Sequence, residues 1–214
     1  MSLLYNIKYI PAMEILTVYP GQATGRNIDA AVEALRNGDI VIYPTDTVYA
    51  LGCDALNQRA IERLCRIKGL NPDKNQLSVI CDSIAMAAEY ARIDNTAFRM
   101  IRHNTPGAIT FILPAATTLP KIFKGRKTVG IRIPDNDIAR ALAAALGHPV
   151  LTTSAETEDP DDLAHAEAVA LHYDNHAALA LDGGECGTEP GTIVDPRDSR
   201  DPQVLRQGPA RFEE

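Results

Sequence analysis

Short apolar runs rich in β-branched residues alternate along this chain with stretches whose apolar residues recur every three to four positions. The runs predict buried strands, and the recurring pattern predicts amphipathic helices. The predicted strands are 15–19, 40–43, 77–81, 108–113, 128–133, 150–153, 179–181, 192–195 and 203–206. The predicted helices are 27–37, one capped by Asn57, two capped by Ser83 and Asp94, 137–146, and one ending near Tyr173. This alternation predicts a single α/β domain with a mixed sheet.

The domain is placed at residues 13–214, and residues 1–12 are predicted to be an N-terminal extension without a role. No run approaches the roughly 18 consecutive apolar residues of a membrane span. The first ten residues are too polar for a signal peptide. The four cysteines form no CxxC pair, and three of them lie in apolar runs. Buried thiols in a reducing cytoplasm are therefore expected.

The net charge is −7, from 21 basic and 28 acidic residues, which argues against a protein that binds nucleic acid over its whole surface. The net charge does not exclude a local basic surface, because many of the basic residues are clustered in the sequence. The clustered residues are Arg59, Arg63, Arg66, Lys68, Lys74, Lys121, Lys124, Arg126 and Lys127. If they share a concave face, they could follow an RNA backbone, whereas on helix surfaces they would simply be solvated.

Two familiar site types are not supported. Gly125–Thr128 resembles the end of a Walker A loop, but Pro120 stands where its first glycine belongs, and no GxGxxG follows a strand. A histidine stripe lies on the face of its predicted helix opposite the apolar residues, so it is expected to be solvated rather than to bind metal. It consists of His165, His172 and His176.

Polar side chains collect instead at the ends of predicted strands. Thr45, Asp46 and Thr47 follow the strand that breaks at Pro44, where they could cap a turn or contact a ligand. Two guanidiniums and an ammonium accompanied by hydroxyls would suit a phosphate or a carboxylate, so a nucleotide-binding enzyme is one interpretation. The other members of this set are Lys68, Asn75, Ser78, Thr128, Arg132, Thr152, Thr153, Ser154 and Arg206.

The segment Tyr43–Gly52, YPTDTVYALG, resembles the YPT-D/E-TVYGLG motif of the YrdC-like threonylcarbamoyl-AMP synthases. Further segments resemble the motifs of that family in the same order, over about residues 15–210. They are Ile67–Lys68, Pro106–Thr110, Thr128–Pro134, Thr153–Ala155, Asp182–Gly184, Thr192–Asp195 and Val204–Gly208. One such match would be weak evidence, but an ordered series is specific.

The resemblance implies a YrdC-like fold, in which a twisted, open, mixed β-sheet with flanking helices forms a concave cleft. It implies an ATP-dependent nucleotidyltransferase that converts L-threonine, bicarbonate and ATP into threonylcarbamoyl-AMP and pyrophosphate. That product serves threonylcarbamoyladenosine modification of tRNA. The Mg²⁺ ion would be bound through the phosphates and would need few protein ligands.

The resemblance also implies roles for particular residues. Lys68 and Arg132 would be catalytic, and no residue would bind metal directly. L-Threonine would contact Thr47, Arg132 and Thr152. ATP would contact Lys68, Asn75, Thr128, Ser154 and Arg206.

Four positions depart from the family pattern. Leu70 replaces a basic residue, Glu156 an asparagine, Gly191 a serine and Ala50 a glycine. Glu156 would oppose phosphate binding through its negative charge, and Lys74 could replace the charge lost at position 70. The departures are similar to those of the YciO branch of the family. The alternative is therefore a YciO-type protein that binds double-stranded RNA or tRNA and lacks synthase activity.

Overall fold

The computed structural model describes residues 13–19, 21–123, 125, 127–198 and 200–213, so the predicted extension 1–12 lies outside the described residues. The strands are β1 Glu14–Thr17, β2 Val41–Tyr43, β3 Ala50–Asp54, β4 Ser78–Ile80, β5 Ile109–Pro114, β6 Thr128–Arg132, β7 Val150–Ser154, β8 Leu179–Asp182, β9 Thr192–Asp195 and β10 Gln203–Arg206. The α-helices are α1 Arg26–Arg36, α2 Gln58–Ile67, α3 Ile84–Tyr90, α4 Asn95–Asn104, α5 Asp137–Leu146 and α6 Ala166–His172. Short 3₁₀ turns occupy Lys121–Phe123 and Pro160–Ala164.

All ten strands form one sheet, in the order β1-β8-β2-β3-β7-β4-β6-β5-β9-β10. The β1–β8, β2–β8, β4–β6 and β5–β9 pairs are parallel, and the others are antiparallel. The predicted α/β class with a mixed sheet is confirmed. The predicted N-caps Asn57, Ser83 and Asp94 each accept a backbone N–H at the start of their helix. Local capping chemistry therefore explains why these helix starts were predictable.

The strand β3 was not predicted. Its sequence, ALGCD, contains a glycine and lacks β-branched residues, so no strand pattern is visible. Tertiary context makes it a strand, since β3 pairs with both β2 and β7. A Cβ atom at Gly52 would lie 2.6 Å from Cε1 of Tyr43, so the glycine allows the Tyr43 ring to cross the strand.

Helices cover the two faces of the sheet unequally. Helices α2, α3, α4 and α6 pack on one face, in a large cluster that includes Leu64, Ile101 and Val169. Helices α1 and α5 pack on the other face through Leu35 and Leu142. Among the described residues, the buried strand residues of this second cluster come from β2, β3, β4, β7 and β8. The same face of β5, β6, β9 and β10 is therefore available to form a cleft.

Cys53, Cys65 and Cys81 are buried as predicted, and Cys186 is partly exposed. Burial raises the pKa of each thiol, to about 11 for Cys186. Within the described ranges, no helix has the length and apolar character needed to cross a membrane.

Candidate functional site

Strand register brings polar side chains together on the partly uncovered face. Arg206, Ile193, Thr110 and Arg132 are consecutive cross-strand partners on β10, β9, β5 and β6. In the neighbouring row, Gly130, Ser78, Thr152 and Gly52 are partners on β6, β4, β7 and β3. Residues paired in register point to the same face of a sheet. Residues distant in sequence therefore share one polar surface.

A cleft of about 140 Å³ opens at this surface. Five of the eight predicted site residues line it, namely Thr47, Arg132, Thr152, Ser154 and Arg206. The rest of its lining is Thr45, Val48, Ala50, Gln76, Ser78, Thr110, Thr153 and Ile193. Hydroxyls and guanidiniums predominate, and this donor set suits an oxygen-rich anion.

The turn after β2 shapes one wall of the cleft. Thr45 Oγ1 accepts from the Thr47 backbone N–H at 3.1 Å and donates to the Val48 carbonyl at 2.6 Å. Thr45 therefore caps the turn. Thr45 and Thr47 are 4% and 2% exposed, and their hydroxyl oxygens are 3.0 Å apart. The turn presents Thr47 to the cleft in a fixed orientation.

Asp46 does not cap its own turn. Its Oδ1 accepts from Nη2 of Arg132 at 2.5 Å, and its Oδ2 accepts from the backbone N–H of Asp135 at 2.9 Å. The side chains of Arg132 and Asp46 are 9% and 10% exposed. A buried guanidinium needs such a counter-charge, because its desolvation is otherwise uncompensated. Asp46 therefore holds Arg132 in place in the wall of the cleft.

Arg132 retains an unused donor. Its Nη2 also donates to Thr47 Oγ1 at 2.9 Å, but its Nε is buried without a partner among the described residues. Buried N–H groups are rarely left unpaired, and such a group at a cleft points to a bound acceptor. A carboxylate could take this N–H and the neighbouring hydroxyls.

Arg206 reaches the cleft from the edge strand β10. Its Nε and Nη2 donate to the Gly191 carbonyl at 2.9 and 2.7 Å. Burial and then the charge of Arg132 hold the pKa of Arg206 below its usual value. The two guanidiniums thus repel each other, and an anion bound between them would relieve the repulsion.

Thr152 is oriented by Tyr43, whose hydroxyl donates to Thr152 Oγ1 at 2.7 Å. Burial raises the pKa of Tyr43, so the phenol remains a donor at neutral pH. Since Thr152 accepts from Tyr43, its own O–H can donate to a ligand. The sequence patterns did not indicate Tyr43, Gln76 or Thr110 as site residues. Thr110 had one visible signal, since it is a hydroxyl in an otherwise apolar strand.

Lys68, Asn75 and Thr128 lie outside the cleft lining. The Lys68 side chain is 2% exposed, and its ammonium forms an ion pair with Glu156 Oε2 at 3.0 Å. Asn75 is exposed and accepts from the Asn71 backbone N–H, and Thr128 donates to Gln76 Oε1 at 2.9 Å. Gln76 itself lines the cleft, so Thr128 affects the cleft only through the Gln76 side chain.

The structure also shows where some of the clustered basic residues and the three histidines lie. Arg63 pairs with Asp39 and donates to the His176 carbonyl, and its side chain is 42% exposed. The Lys68 side chain is buried against Glu156 and is not available to follow an RNA backbone. Lys124 and Arg126 lie outside the described residues. The RNA-binding alternative stays a prediction, which salt-dependent affinity for tRNA or duplex RNA would test. The predicted solvation of His165, His172 and His176 is confirmed, since all three are exposed. The prediction that they share one helix face is wrong, because α6 spans only Ala166–His172.

Comparison with known proteins gives a consistent picture. The Sua5, YciO and YrdC family model, described as telomere recombination, matches residues 33–208. YciO of Escherichia coli K12, named as an uncharacterised protein, is 38% identical over 198 residues, which cover 89% of this chain and 93% of YciO. The E. coli YciO crystal structure has a TM-score of 0.86 and 35% identity and covers 94% of this chain and 98% of its own.

Proteins with a named activity or ligand are more distant. The threonylcarbamoyl-AMP synthase of Vibrio cholerae serotype O1 is 32% identical over 188 residues, which cover 85% of this chain and 97% of the synthase. The crystal structure of P. abyssi Sua5 complexed with L-threonine has a TM-score of 0.79 and 29% identity. That match covers 91% of this chain and 57% of the longer Sua5 chain.

Proposed function

The chain belongs to the Sua5, YciO and YrdC family, and from this membership we propose that it is an L-threonylcarbamoyladenylate synthase. The proposed reaction consumes L-threonine, bicarbonate and ATP and yields threonylcarbamoyl-AMP, pyrophosphate and water. Its product would supply the threonylcarbamoyl group for tRNA modification. Unpaired cysteines support the cytoplasm as its place of action.

The observation that carries the proposal is the unpartnered Nε of Arg132. Arg132 is 8% exposed, lines the cleft and already binds Asp46 and Thr47 through Nη2. A carboxylate oxygen can accept the single N–H of Nε, and its negative charge suits the guanidinium. The carboxylate of L-threonine would therefore occupy the position beside Nε. The Sua5 relative that binds L-threonine supports this assignment.

The amino acid would then be oriented by hydroxyls. Thr47 is held by the turn and by Arg132, and Thr152 keeps its O–H free by accepting from Tyr43. These two hydroxyls would orient the rest of the threonine molecule. Its amine would attack the carbon of bicarbonate to form a carbamate, as a C–O bond of bicarbonate breaks and water leaves. A fixed carboxylate positions the carbamate oxygen for attack on the α-phosphate of ATP, so the protein contributes mainly by positioning.

The nucleotide would lie toward Ser154 and Arg206, which both line the cleft. Arg206 offers a guanidinium whose repulsion from Arg132 is relieved by an anion. The described residues contain no group of three or more His, Cys, Asp or Glu side chains placed to hold a metal. Mg²⁺ would be held through the phosphates, where it would neutralise charge on the leaving pyrophosphate.

The test is pyrophosphate release by the purified protein with ATP, Mg²⁺ and bicarbonate, in the presence and absence of L-threonine. We expect release that requires both bicarbonate and threonine. Release that is unchanged by omitting threonine, or no release at all, would contradict the proposal.

Substitution of Arg132 adds specificity to the test. Arg132→Lys keeps the charge beside Asp46 but loses the guanidinium edge, so we expect threonine-dependent release to fall by about 100-fold. Arg197→Ala is the control, because Arg197 is exposed and pairs with Asp195 outside the cleft lining. Its rate should stay within about twofold of the wild-type rate.

A further inference from the structure

Among the ion pairs of the described residues, the most deeply buried cationic side chain is that of Lys68, the C-cap of α2. Its Nζ lies 3.0 Å from Glu156 Oε2 and 3.4 Å from the hydroxyl of Tyr173. The same hydroxyl accepts from the Glu156 backbone N–H at 3.1 Å. Tyr173 thus fixes both partners of the ion pair, and the contact is a built arrangement rather than a chance surface pair.

Glu156 is also close in sequence to the cleft. It follows the cleft-lining Ser154 by two residues, directly beyond the end of β7. Its side chain is 77% exposed, while that of Lys68 is 2% exposed. The carboxylate therefore stands between the buried ammonium and the solvent at this end of the site.

We propose that Glu156 determines the ligand specificity of the cleft by holding the Lys68 ammonium and so lowering affinity for polyphosphates. The inference rests on the proposed nucleotide-dependent function and deepens it. With Glu156 in place, the preferred nucleotide ligand carries few phosphate charges, such as an adenylate, and a nucleoside triphosphate binds more weakly than the number of cations suggests.

Charge balance around the cleft explains the effect. Arg132 and Arg206 line the cleft, and Lys68 lies outside the lining, where it pairs with Glu156 just beyond the end of β7. With Asp46 paired to Arg132, these three cations and two carboxylates sum to one net positive charge. Arg206 also donates two hydrogen bonds to the Gly191 carbonyl. A triphosphate carries three to four negative charges and gains most from each unpaired cation. Removing the Glu156 charge doubles the net positive charge at the site.

The experiment compares nucleotide affinities of wild type and Glu156→Gln by calorimetric titration without threonine. Glutamine keeps an acceptor for the buried Lys68 and removes the charge. We expect affinity for ATP to rise about tenfold and that for AMP by less, while adenosine affinity stays unchanged. The gain should shrink as salt is raised.

Glu14→Gln is the matched control, since it removes the same charge from an exposed residue of the edge strand β1. Four strand spacings separate β1 from β7, about 19 Å, which exceeds the Debye length at physiological salt. Its ATP affinity should therefore match that of the wild type. Thermal unfolding of each variant verifies that the fold is retained.

The double variant Lys68→Met with Glu156→Gln tests whether Glu156 lowers ATP affinity through Lys68. Loss of the ATP gain in the double variant supports the proposal, and persistence of the gain overturns it. An unchanged ATP affinity in Glu156→Gln, an equal gain for adenosine, or no nucleotide binding by any variant also overturns it. Threonine-dependent pyrophosphate release is measured separately, so the synthase assignment can stand if this inference fails, and the reverse also holds.

Discussion

Arg132 donates from Nη2 to Thr47 Oγ1 over 2.9 Å, a contact that joins the end of β6 to the turn after β2. The two residues are 85 positions apart in sequence. Asp46, between the two threonines of the turn, supplies the charge that keeps Arg132 buried. The wall of the cleft is therefore one polar cluster, in which each member fixes the next.

Removal of the Asp46 charge should destabilise this cluster. Asp46→Ala leaves the Arg132 guanidinium buried without a counter-charge, so we expect the free energy of unfolding to fall by about 3 kcal/mol. Urea denaturation measures the change. Asp135→Ala provides the comparison, because its exposed carboxylate lies 3.6 Å from Arg140, and it should cost less than about 1 kcal/mol. Equal losses in the two variants would show that Asp46 has no special role.

Tyr43→Phe removes the hydroxyl that orients Thr152 and little else. We expect a loss of about 1 kcal/mol in the free energy of unfolding, since a buried hydrogen bond is lost without a large change in volume. Threonine affinity should fall several-fold, because the Thr152 hydroxyl is then free to rotate. Denaturation and calorimetric titration measure the two effects. Tyr19→Phe, at a side chain 65% exposed, should change neither quantity.

Gly130 lets strands β4 and β5 bring their polar side chains together across β6. A Cβ atom there would lie 2.3 Å from Ser78 Oγ and 2.9 Å from Thr110 Cγ2. Gly130→Ala should therefore displace two cleft-lining side chains and cost about 1–3 kcal/mol of stability. Ligand affinity should fall as well.

The comparison for Gly130 is Gly21→Ala, which meets no atom within 4 Å but has a positive φ of 74°. It should cost about 1 kcal/mol through backbone strain alone and leave ligand affinity intact. Calorimetric titration of both variants separates a cleft effect from a general loss of stability. Unaltered ligand affinity in Gly130→Ala would argue that the wall of the cleft adapts freely.

Stability should decline in alkaline solution. Burial raises the pKa of Cys186 from 9.0 to about 11, so the unfolded thiol ionises before the folded one. The folded state then binds more protons, and the free energy of unfolding falls as pH rises from about 9 to 11. Denaturation at a series of pH values measures the slope. Cys186→Ser can still donate a hydrogen bond to the Thr45 carbonyl but cannot ionise in this pH range. The free energy of unfolding of this variant should therefore fall less than that of the wild type, by an amount on the order of 1 kcal/mol. Matching profiles would place the cause elsewhere.

Local chemistry accounts for what could be predicted. Asn57, Ser83 and Asp94 cap their helices through contacts within three residues, so the sequence around each cap carries the information. Strand β3 escaped prediction because its pairing partners, and not its own residues, make it a strand. The motif order in the sequence was sufficient to predict the family, since ordered motifs survive changes in the surrounding residues.

The residues of the candidate site likewise divide into those that the sequence could predict and those that it could not. Thr47, Arg132, Thr152, Ser154 and Arg206 could be picked out as polar residues at strand ends, and the cleft collects all five. Lys68 could not be placed, because its position depends on Glu156 and Tyr173, which lie on distant elements. Tyr43 and Thr110 were missed since their sequence context is that of core residues.

The sequence by itself determined the helices, most of the strands, the mixed α/β class and the polar residues that end the strands, because caps, periodicity and turn chemistry act over a few residues. Only the tertiary structure decided which of those residues meet. The ten-strand order sets Arg132 beside Thr47 and Arg206, and it brings the end of β7 to the end of α2, so that Glu156 takes the Lys68 ammonium. Pairings of that kind depend on contacts between residues tens of positions apart, and no local pattern records them.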